Sequence, residues 1–590
     1  MDDAAVVRMR DTMARRGPDG SGLWRHENVV LAHRRLAVIA PGPQGHQPLV
    51  TPSGAAIVYN GELYNDADVR AELRREGVIV NGPSDTATVA AALERWGHGA
   101  ISLLRGMYAL GFVDARRERL LLARDPLGIK PLFWMQVDGD LVFASDVRAL
   151  LSHPRAHTNP DLATASAYLT TLRLTLGSRT LFAGVRTLLP GEWLEFDLTG
   201  SQPAPKVFDW WDRKPAVPAP QSDTAASVRI AVEDSVRRHL RSDVPLCCLL
   251  SGGLDSTIIA TAAKKETGGD DFWTYCAGAV EAPGLLNDFH YAKQVSALLG
   301  SHHVEAPVSG DMFRDRWAWM VAESGMPLST PNEVAINEVA RRLRADGKIV
   351  ALSGEGADEL FGGYEAVMED AFRRFAGLAG CDPGPWRERG GEIMLAASAW
   401  VPAGQKHGVL EPHAIAASEN DGHLVAFVRD EFARLSQDCP DPMQVALRYQ
   451  RRINLEGLLR RLDSATMLEG VEGRTPFADQ DVALLAESLA LSAKYSADVP
   501  EPRGKLVLRS AFERDVPLTV RARPKASFPL PFQEWGQAAS DVLSSSFFAK
   551  ETLTEAARAV LVHTSWTQHG LWRIGWPTVN LALWGQRWWG

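Results

Sequence analysis

A glycine-rich turn that carries an aspartate is the feature of this sequence with the clearest chemistry. Leu246 to Leu250 is predicted to be a buried strand, and Ser251-Gly252-Gly253-Leu254-Asp255-Ser256 joins it to a helix predicted from Thr257. The amide hydrogens and positive dipole end at a helix start favour an anion, and glycine lets the backbone approach it. A Walker-type loop would place a lysine before its serine, and none is present here. The Asp255 carboxylate is compatible with bound phosphates if a divalent cation, most suitably Mg²⁺, lies between them.

A second acidic turn repeats this pattern about a hundred residues later. The segment SGEGADELFGGY, Ser353 to Tyr364, follows another apolar run, KIVAL. Loops at the carboxyl ends of parallel strands meet where open α/β sheets bind ligands. Asp255 and Asp358 are therefore predicted to share one Mg²⁺. Each turn taken alone could also be an exposed turn without a ligand.

Two different patterns of predicted elements surround these turns. The first part of the chain has short β-type runs and two helical patterns, near Asn65 to Glu76 and Asp85 to Arg95, which indicates an α+β domain. After a proline-rich segment, strands and helices alternate, which indicates a parallel sheet covered by helices. Beyond Tyr364 the pattern is mostly helical. We predict a first domain over 1–200, a linker over 201–222 and a second domain over 223–590.

Composition excludes several classes of protein. The 590 residues are 45% hydrophobic and 23% charged, which is typical of soluble globular chains. Lys plus Arg total 63 against 72 Asp plus Glu, a net charge of −9, so nucleic acid is not the expected partner. The five cysteines are too scattered for disulfides or metal-ligand pairs. No signal pattern or long apolar run is found, so a cytoplasmic protein without a membrane partner is predicted.

The ordered motifs resemble one family. SGGLDS, SGEGADELFGGY, VEGRTPFAD and RPKASF resemble the synthetase domain of glutamine-dependent asparagine synthetases. Upstream, RRGPDGSG, AHRRL, GHQPL, YNGELYN, SDT, LLRGMYAL and ARDPLGIKPLF resemble the glutaminase domain of the same family. The resemblance implies an N-terminal Ntn-hydrolase-like αββα sandwich lacking its first strand. It also implies a C-terminal PP-loop domain, of the adenine nucleotide α-hydrolase type, with a mostly helical extension.

The resemblance implies that ATP activates a carboxylic acid as an acyl adenylate, with release of pyrophosphate, and that an amine then displaces AMP. Mg²⁺ would be held by Asp255 and Asp358. The residues expected to hold ATP and pyrophosphate are Ser251, Gly252, Gly253, Leu254, Asp255, Ser256, Gly354 and Lys525. Three residues are expected to be catalytic. Glu355 would orient the amine or accept its proton, Lys525 would neutralise charge developing on the phosphates, and Asp463 would lie beside the acid.

The resemblance further implies a glutamine pocket. Arg35 would bind the glutamine carboxylate, Asn60 and Gly61 would form an oxyanion hole, and Glu62 and Asp85 would bind the α-amino group. Family chains open with a nucleophilic cysteine, whereas no cysteine precedes Cys247 here. We expect the true start to lie upstream, with the opening strand. The alternative is loss of glutaminase activity, with free ammonia or another amine entering the second site.

Three functions remain open at this stage. The leading one is an amide-forming ligase that joins ammonia, from glutamine or from solution, to aspartate or a related small carboxylic acid. Because Gly473, Ala478 and Ser527 depart from the family motifs, the acid is not fixed. The alternatives are a β-lactam or macrolactam synthetase that uses another amine, and a non-catalytic nucleotide-binding scaffold. The family often forms homodimers, which the residues alone do not decide.

Overall fold

The computed structural model describes two domains in contact. It covers residues 2–114, 116–199, 206–211, 220, 223–280, 288–376, 384–523 and 530–590. Lys525 and Ser527, both named above, lie outside the described residues. Within the described residues, no helix combines the length and apolar character needed to cross a membrane.

The first domain is built on antiparallel strands. Its strands are β1 (Gly20–His26), β2 (Val29–Arg35), β3 (Leu49–Val50), β4 (Ala56–Leu63), β5 (Gly106–Asp114), β6 (Arg119–Arg124), β7 (Phe133–Val137), β8 (Asp140–Ala144), β9 (Thr175–Leu176), β10 (Arg179–Thr180), β11 (Arg186–Thr187), β12 (Glu192–Asp197) and β13 (Lys206–Asp209). Its helices are α1 (Asp3–Asp11), α2 (Asp66–Arg75), α3 (Asp85–Trp96), α4 (Val147–Leu151) and α5 (Leu162–Thr171). The α+β prediction and both predicted helices are confirmed.

The larger sheet of this domain positions the predicted glutamine residues. Its strand order is β13-β12-β6-β5-β4-β3, beside a smaller sheet β8-β7-β11-β10-β9 and the hairpin β1-β2. Strands β4 and β5 are apolar runs that are buried over most of their length, as expected for central strands. Residues 206–209, predicted to be part of a linker, form β13 and pair with β12. Most of the remaining predicted linker lies outside the described residues, so its limits stay a prediction.

The second domain contains one parallel sheet and many helices. Its strands are β14 (Leu246–Leu249), β15 (Trp273–Ala279), β16 (His302–Val308), β17 (Val350–Leu352) and β18 (Glu472–Arg474). Its helices are α6 (Thr224–His239), α7 (Leu254–Thr267), α8 (Asp288–Leu299), α9 (Gly310–Ser324), α10 (Asn332–Ala345), α11 (Ala357–Phe361), α12 (Glu365–Ala376), α13 (Gly384–Ser398), α14 (Ala403–Lys406), α15 (Pro412–Ala417), α16 (Gly422–Leu435), α17 (Pro442–Tyr449), α18 (Leu455–Met467), α19 (Gln480–Ser488), α20 (Leu491–Lys494), α21 (Leu506–Ala511), α22 (Leu518–Arg521), α23 (Phe532–Gln537), α24 (Val542–Ser545), α25 (Phe547–Thr552), α26 (Glu555–His563) and α27 (Trp572–Trp589). A π-helical turn, Gln450–Asn454, connects α17 to α18.

The strand order of this sheet places the two acidic turns side by side. The order is β16-β15-β14-β17-β18, and every neighbouring pair is parallel. Strands β15 and β16 follow β14 in the chain and lie on one side of it, whereas β17 and β18 lie on its other side. The loops that follow β14 and β17 therefore leave the same edge at a topological switch point, where such sheets bind ligands. The parallel sheet predicted from the sequence is confirmed.

Helix α7 begins earlier than predicted. It starts at Leu254 rather than Thr257, because Gly252 adopts a positive φ of 70° and Gly253 is extended as the residue before the helix. A left-handed φ is accessible to glycine without the usual steric cost. Asp255 consequently lies in the first turn of α7 rather than in the preceding loop.

Buried ion pairs tie the two domains together. The Arg124 guanidinium is buried, donates to three backbone carbonyls of its own domain and lies 3.2 Å from the Glu456 carboxylate of α18. Arg474 of β18 lies 3.6 Å from Glu62 of β4. A buried charge left without its partner costs several kcal/mol. These pairs therefore favour one fixed arrangement of the domains.

Candidate functional site

The loops after β14 and β17 pack against each other at the carboxyl edge of the parallel sheet. Gly354 lies directly against the first turn of α7. A Cβ atom at this position would lie 2.9 Å from the Ser256 nitrogen and 3.0 Å from the Asp255 carbonyl carbon. Any larger side chain would push the two loops apart, so glycine is required here for close approach.

These loops form the wall of a cavity of about 210 Å³. Most of the residues predicted to hold ATP and metal line it together with the predicted catalytic residue Glu355, namely Ser251, Gly253, Leu254, Asp255, Ser256, Gly354 and Asp358. Gly252 instead forms the turn behind the cavity, against the Tyr291 backbone. The Ser251 and Ser256 hydroxyls lie 3.1 Å apart and close the loop on itself.

Lys505 is the site residue that sequence reasoning missed. Its ammonium nitrogen lies 2.6 Å from an Asp255 carboxylate oxygen and 2.7 Å from one of Asp358. The side chain is buried, and the backbone has a positive φ of 55° at the start of α21. Burial alone would lower the pKa of Lys505, but the two aspartates raise it above its usual value. Strained, non-glycine backbone of this kind is concentrated at functional sites.

The donor set at this position fits a magnesium ion bound together with phosphates. Asp255 and Asp358 flank one ammonium group, so their carboxylates converge on one point. Mg²⁺ is typically held by one or two carboxylates plus substrate phosphates rather than by a complete protein cage. Within the described ranges, no group of three or more His, Cys, Asp or Glu side chains is placed to hold a metal ion.

Glu355 points into the same cavity and is held by an arginine from another helix. Arg461 of α18 donates to the Glu355 carboxylate at 2.5 Å and to the Thr330 hydroxyl at 3.0 Å. Leu458 and Leu462 of the same helix also line the cavity. The Glu355 carboxylate is therefore held in a fixed orientation beside apolar side chains. In this position it could orient an amine or accept a proton from it.

The structure does not bring Asp463 to this cavity. Asp463 is buried on another part of α18, 2.7 Å from the Arg16 guanidinium and 3.2 Å from the Lys130 ammonium of the first domain. Burial alone would raise its pKa, but Arg16 and Lys130 hold the pKa below its usual value. The predicted place beside the acid is therefore corrected to a place in the domain interface. Helix periodicity turns Asp463 away from the side that carries Leu458, Arg461 and Leu462.

This position leads to a prediction for Asp463→Asn. Removing the negative charge leaves two buried cations without their counter-ion, so we expect the free energy of unfolding to fall by about 3 to 5 kcal/mol. The KM for the acid, measured with ammonium as nitrogen donor, should stay within about twofold, since Asp463 does not line that cavity. Denaturant unfolding and steady-state kinetics would test this. A large rise in KM with unchanged stability would contradict it.

A second cavity, of about 140 Å³, lies in the first domain. The five residues predicted to bind glutamine all line it: Arg35, Asn60, Gly61, Glu62 and Asp85. Asn60 donates to the Ser145 hydroxyl at 3.1 Å. A Cβ atom on Gly61 would lie 2.0 Å from the Met107 carbonyl oxygen of the paired strand β5, so this site needs glycine.

Arg35 already uses the donors that a bidentate carboxylate contact would require. Its two terminal nitrogens donate to the backbone carbonyls of residues 39–42, at distances from 2.6 to 3.3 Å. This arrangement shapes the loop that forms one wall of the cavity. A carboxylate would have to displace some of these bonds, which sequence reasoning did not anticipate.

Two buried acidic side chains of this cavity, Asp85 and Glu62, have raised pKa values. Asp85, at the start of α3, accepts from the backbone amides of Leu63 and Thr86 at 2.9 and 2.8 Å. Burial raises its pKa to about 6, despite these bonds. Burial and then the Asp85 charge raise the pKa of Glu62 well above its usual value. Such a pair is suited to bind a cationic group such as an α-ammonium.

Residues of the second domain complete this cavity. Met467 and Glu472 line it, beside Arg16. A further cavity of about 60 Å³ at the interface is lined by Arg16 and Ser145 on one side and by Asp463 and Leu468 on the other. Arg16 and Ser145 therefore border both cavities. α18 separates this interface cavity from the one that contains Glu355.

The fold and the two cavities define a class of protein. A domain built on antiparallel strands is joined to a parallel-sheet domain. In the second domain, two aspartates that follow neighbouring strands flank Lys505 at the start of α21. The first domain matches the model of the glutamine amidotransferase domain over residues 1–209. The second matches the model of asparagine synthase over residues 227–586.

The chain belongs to the asparagine synthase family, and its class is that of an ATP-dependent carbon–nitrogen ligase. It is 31% identical to a putative glutamine-hydrolysing asparagine synthetase of Mycobacterium tuberculosis, covering 91% of this chain and 85% of the relative. It is 30% identical to glutamine-hydrolysing asparagine synthetase 3 of Bacillus subtilis, covering 88% and 83%. It is also 31% identical to asparagine synthetase B of Escherichia coli, covering 60% of each chain.

Proposed function

We propose that the second domain activates the carboxylate of a small acid with Mg²⁺ and ATP, as an acyl adenylate, and that ammonia then captures the acyl group. The products would be an amide, AMP and pyrophosphate. The convergence of Asp255 and Asp358 on Lys505, in one cavity with Glu355, is the observation that supports this most strongly. Aspartate, the acid named by the family, is the first candidate substrate.

The acidic and basic residues of this cavity are proposed to have different roles. Asp255 and Asp358 would hold Mg²⁺, which when bound neutralises charge on the phosphates and orients them. Lys505, already beside both carboxylates, would add a positive charge where negative charge develops on the departing pyrophosphate. Arg523 also lines the cavity and is fixed by Asp288 at 2.8 Å. Lys525 keeps the role of phosphate ligand as a proposal from the sequence alone.

Glu355 would act on the incoming nitrogen. Ammonia must lose a proton after it attacks the acyl carbon, and a carboxylate within hydrogen-bond reach can accept that proton or orient the lone pair. The contact with Arg461 fixes the Glu355 carboxylate on the apolar wall of the cavity. Fixing such a group in advance reduces the entropy lost on reaching the transition state.

The first domain would supply ammonia from glutamine, with solution as the other source. The five assembled residues, two of which are buried carboxylates, support glutamine as its ligand. The interface cavity shares Arg16 and Ser145 with the proposed glutamine cavity and reaches α18 of the second domain. This arrangement supports passage of ammonia toward the second domain. A shielded passage limits loss of ammonia to solvent, where it would be protonated.

Glutamine binding should depend on pH. Because the pKa of Asp85 is raised to about 6, its charge is gained as pH rises through 6 and lost below it. The affinity for glutamine, whose α-ammonium stays charged, should rise about tenfold from pH 5 to pH 7, following the ionised fraction. Calorimetric titration of glutamine would measure this. Asp85→Asn should abolish the dependence, whereas the exposed Asp68→Asn should retain it; a flat profile in the unaltered chain would count against the assignment.

Acid-dependent exchange of labelled pyrophosphate into ATP tests the main proposal. The full chain would be incubated with ATP, Mg²⁺ and a panel of acids including aspartate, and products with added ammonium or glutamine would be identified by mass spectrometry. Exchange with one acid and formation of its amide are expected. Release of ADP and orthophosphate, or no exchange with any acid, would overturn it. Cyclisation of an acid that carries its own amine would instead favour a lactam synthetase.

A further inference from the structure

A small cavity lies behind α11, the helix that carries Asp358, apart from the three cavities described above. We call it the rear cavity; its volume is about 50 Å³. It is lined by residues of α11, α17, α19, α20 and the π-helical turn Gln450–Asn454. Its charged lining residues are Glu359, Arg448, Arg451, Glu487 and Lys494. π-helical turns inside α-helical segments occur frequently at functional sites, and this one contributes Arg451.

Cations outnumber anions in the described lining of the rear cavity. Three side chains are basic and two are acidic. Glu487 is shared between Arg448, at 3.1 Å, and Arg451, at 3.6 Å. The other carboxylate, Glu359, accepts hydrogen bonds from Tyr364 and Asn454 instead. Arg448 is also paired with Asp438, outside the lining, at 2.5 Å. Among the described residues, the only ion pair of Arg451 is therefore the longer contact with Glu487, and Lys494 forms no ion pair with a carboxylate.

Two donors in this lining are not used by the described residues. The Lys494 ammonium, which has three hydrogens, donates to the Gln444 side-chain oxygen and to the Ala486 carbonyl, both at 2.8 Å. The Arg451 Nε has no hydrogen-bond partner among the described residues, although the side chain is almost fully buried. Buried donors are nearly always paired. A ligand that accepts from both would satisfy them.

The lowered pKa values of Lys494 and Arg451 also favour a bound anion. Burial lowers the pKa of Lys494 to about 8. Burial, with smaller effects of Arg452 and Arg448, lowers the pKa of Arg451 to about 10. Both cations are therefore less stable here than in water. A negative charge placed among them would be strongly attracted, since water screens charges poorly in such a site.

We propose that the rear cavity binds a small inorganic oxyanion of the size of phosphate, held by Lys494, Arg451 and Arg448. One water molecule needs about 10 to 15 Å³ of cavity volume. The rear cavity therefore offers room for about three to five non-hydrogen atoms, which matches a tetrahedral oxyanion. Arginine and lysine donors are the usual partners of phosphate oxygens.

The rear cavity is in contact with the elements of the synthetase site. Glu359 and Leu360, which line it, belong to α11, the short helix that also carries Asp358. On the far side of α11, Gly362 packs against the Tyr495 side chain, next to Lys494. An oxyanion bound to Lys494 would hold α20 against α11. Its binding is accordingly expected to reduce local opening around Asp358.

Calorimetric titration of the full chain with inorganic phosphate would test the proposal. Ionic strength would be kept constant with gluconate, a monovalent carboxylate that lacks the tetrahedral oxygens of phosphate. The synthetase cavity would be saturated with Mg²⁺ and α,β-methylene-ATP, which cannot be cleaved between its α and β phosphates, so that phosphate does not bind there. We expect one phosphate per chain, and slower amide hydrogen exchange of residues 357–361 when phosphate is present.

Two lysine variants distinguish phosphate binding in the rear cavity from phosphate binding to charges on the protein surface. Lys494→Met should weaken phosphate binding at least tenfold, whereas Lys550→Met, which removes an exposed lysine of α25, should leave it within twofold. If Lys494→Met fails to fold, as judged by circular dichroism, the more exposed Arg448→Gln serves the same purpose. Absence of phosphate binding in the unaltered chain, or equal binding by the lysine variants, would overturn the proposal. Neither result bears on adenylation, which the exchange experiment measures separately.

Discussion

Replacing Asp255 or Asp358 with asparagine is expected to lower acid-dependent pyrophosphate exchange by about a thousandfold. Both carboxylates converge on the position where Mg²⁺ is proposed to bind with the phosphates. Asparagine keeps the shape but removes the charge that attracts the cation. A metal that neutralises phosphate charge is worth several kcal/mol in the transition state, and about 4 kcal/mol corresponds to a thousandfold in rate.

The two aspartates should behave as one unit. If both hold the same ion, the double variant should lose little more activity than either single variant, since the ion is already lost after the first change. Asp270→Asn, in the exposed loop after α7, is the matched control and should retain full exchange. Raising the Mg²⁺ concentration should restore part of the activity of each single variant. Additive losses in the double variant, or a tenfold loss in the control, would show that the two aspartates do not share a metal.

Lys505→Met is expected to destabilise the metal-free protein by about 3 to 5 kcal/mol. The substitution removes the cation between Asp255 and Asp358 and leaves two neighbouring carboxylates in a partly buried site. Breaking a buried ion pair by removing one partner costs this much, because the remaining charge is no longer compensated. Urea unfolding at neutral pH, in the absence of divalent ions, would measure the loss.

Two comparisons make this result specific to the charge. Adding Asp358→Asn to Lys505→Met should recover a large part of the stability, since it removes one of the uncompensated charges. Mg²⁺ should stabilise Lys505→Met more than the unaltered chain, because a ligand of the folded state raises its stability by mass action. The exposed Lys550→Met should have no measurable effect. Equal loss in the double variant would indicate that packing of the lysine stem, rather than its charge, is what stabilises this loop.

Local sequence predicted those parts of the site that depend on short-range backbone geometry. The turns after β14 and β17 were correctly predicted because glycine and acidic residues directly after apolar runs are typical of strand-to-helix loops at ligand sites. Their adjacency also followed, since parallel strands place such loops at one edge of a sheet. The five residues predicted to bind glutamine were grouped from the family resemblance, and the structure places three of them on β4, with Arg35 on β2 and Asp85 at the start of α3.

Contacts between residues far apart in the chain could not be predicted from local sequence. Lys505 follows Gly504 in a stretch with no recognised motif, and only the packing of α21 against α11 brings it to Asp255. Asp463 was misplaced because a carboxylate near a substrate motif looks the same in sequence whichever side of its helix it occupies. Arg35 was expected to have open donors, and only the folded loop of residues 39–42 shows that its terminal nitrogens are engaged.

The sequence by itself determined the two domains, the parallel pairing of the second sheet and the positions of the two glycine-rich acidic turns, because these depend on periodicity and on local backbone geometry. Tertiary structure alone decided which cation lies between Asp255 and Asp358, which face of α18 meets the first domain, and how the rear cavity gathers its arginines and lysine. Side chains far apart in the chain meet only when helices pack, and packing depends on the shapes of all the surfaces at once. No short stretch of sequence contains that information.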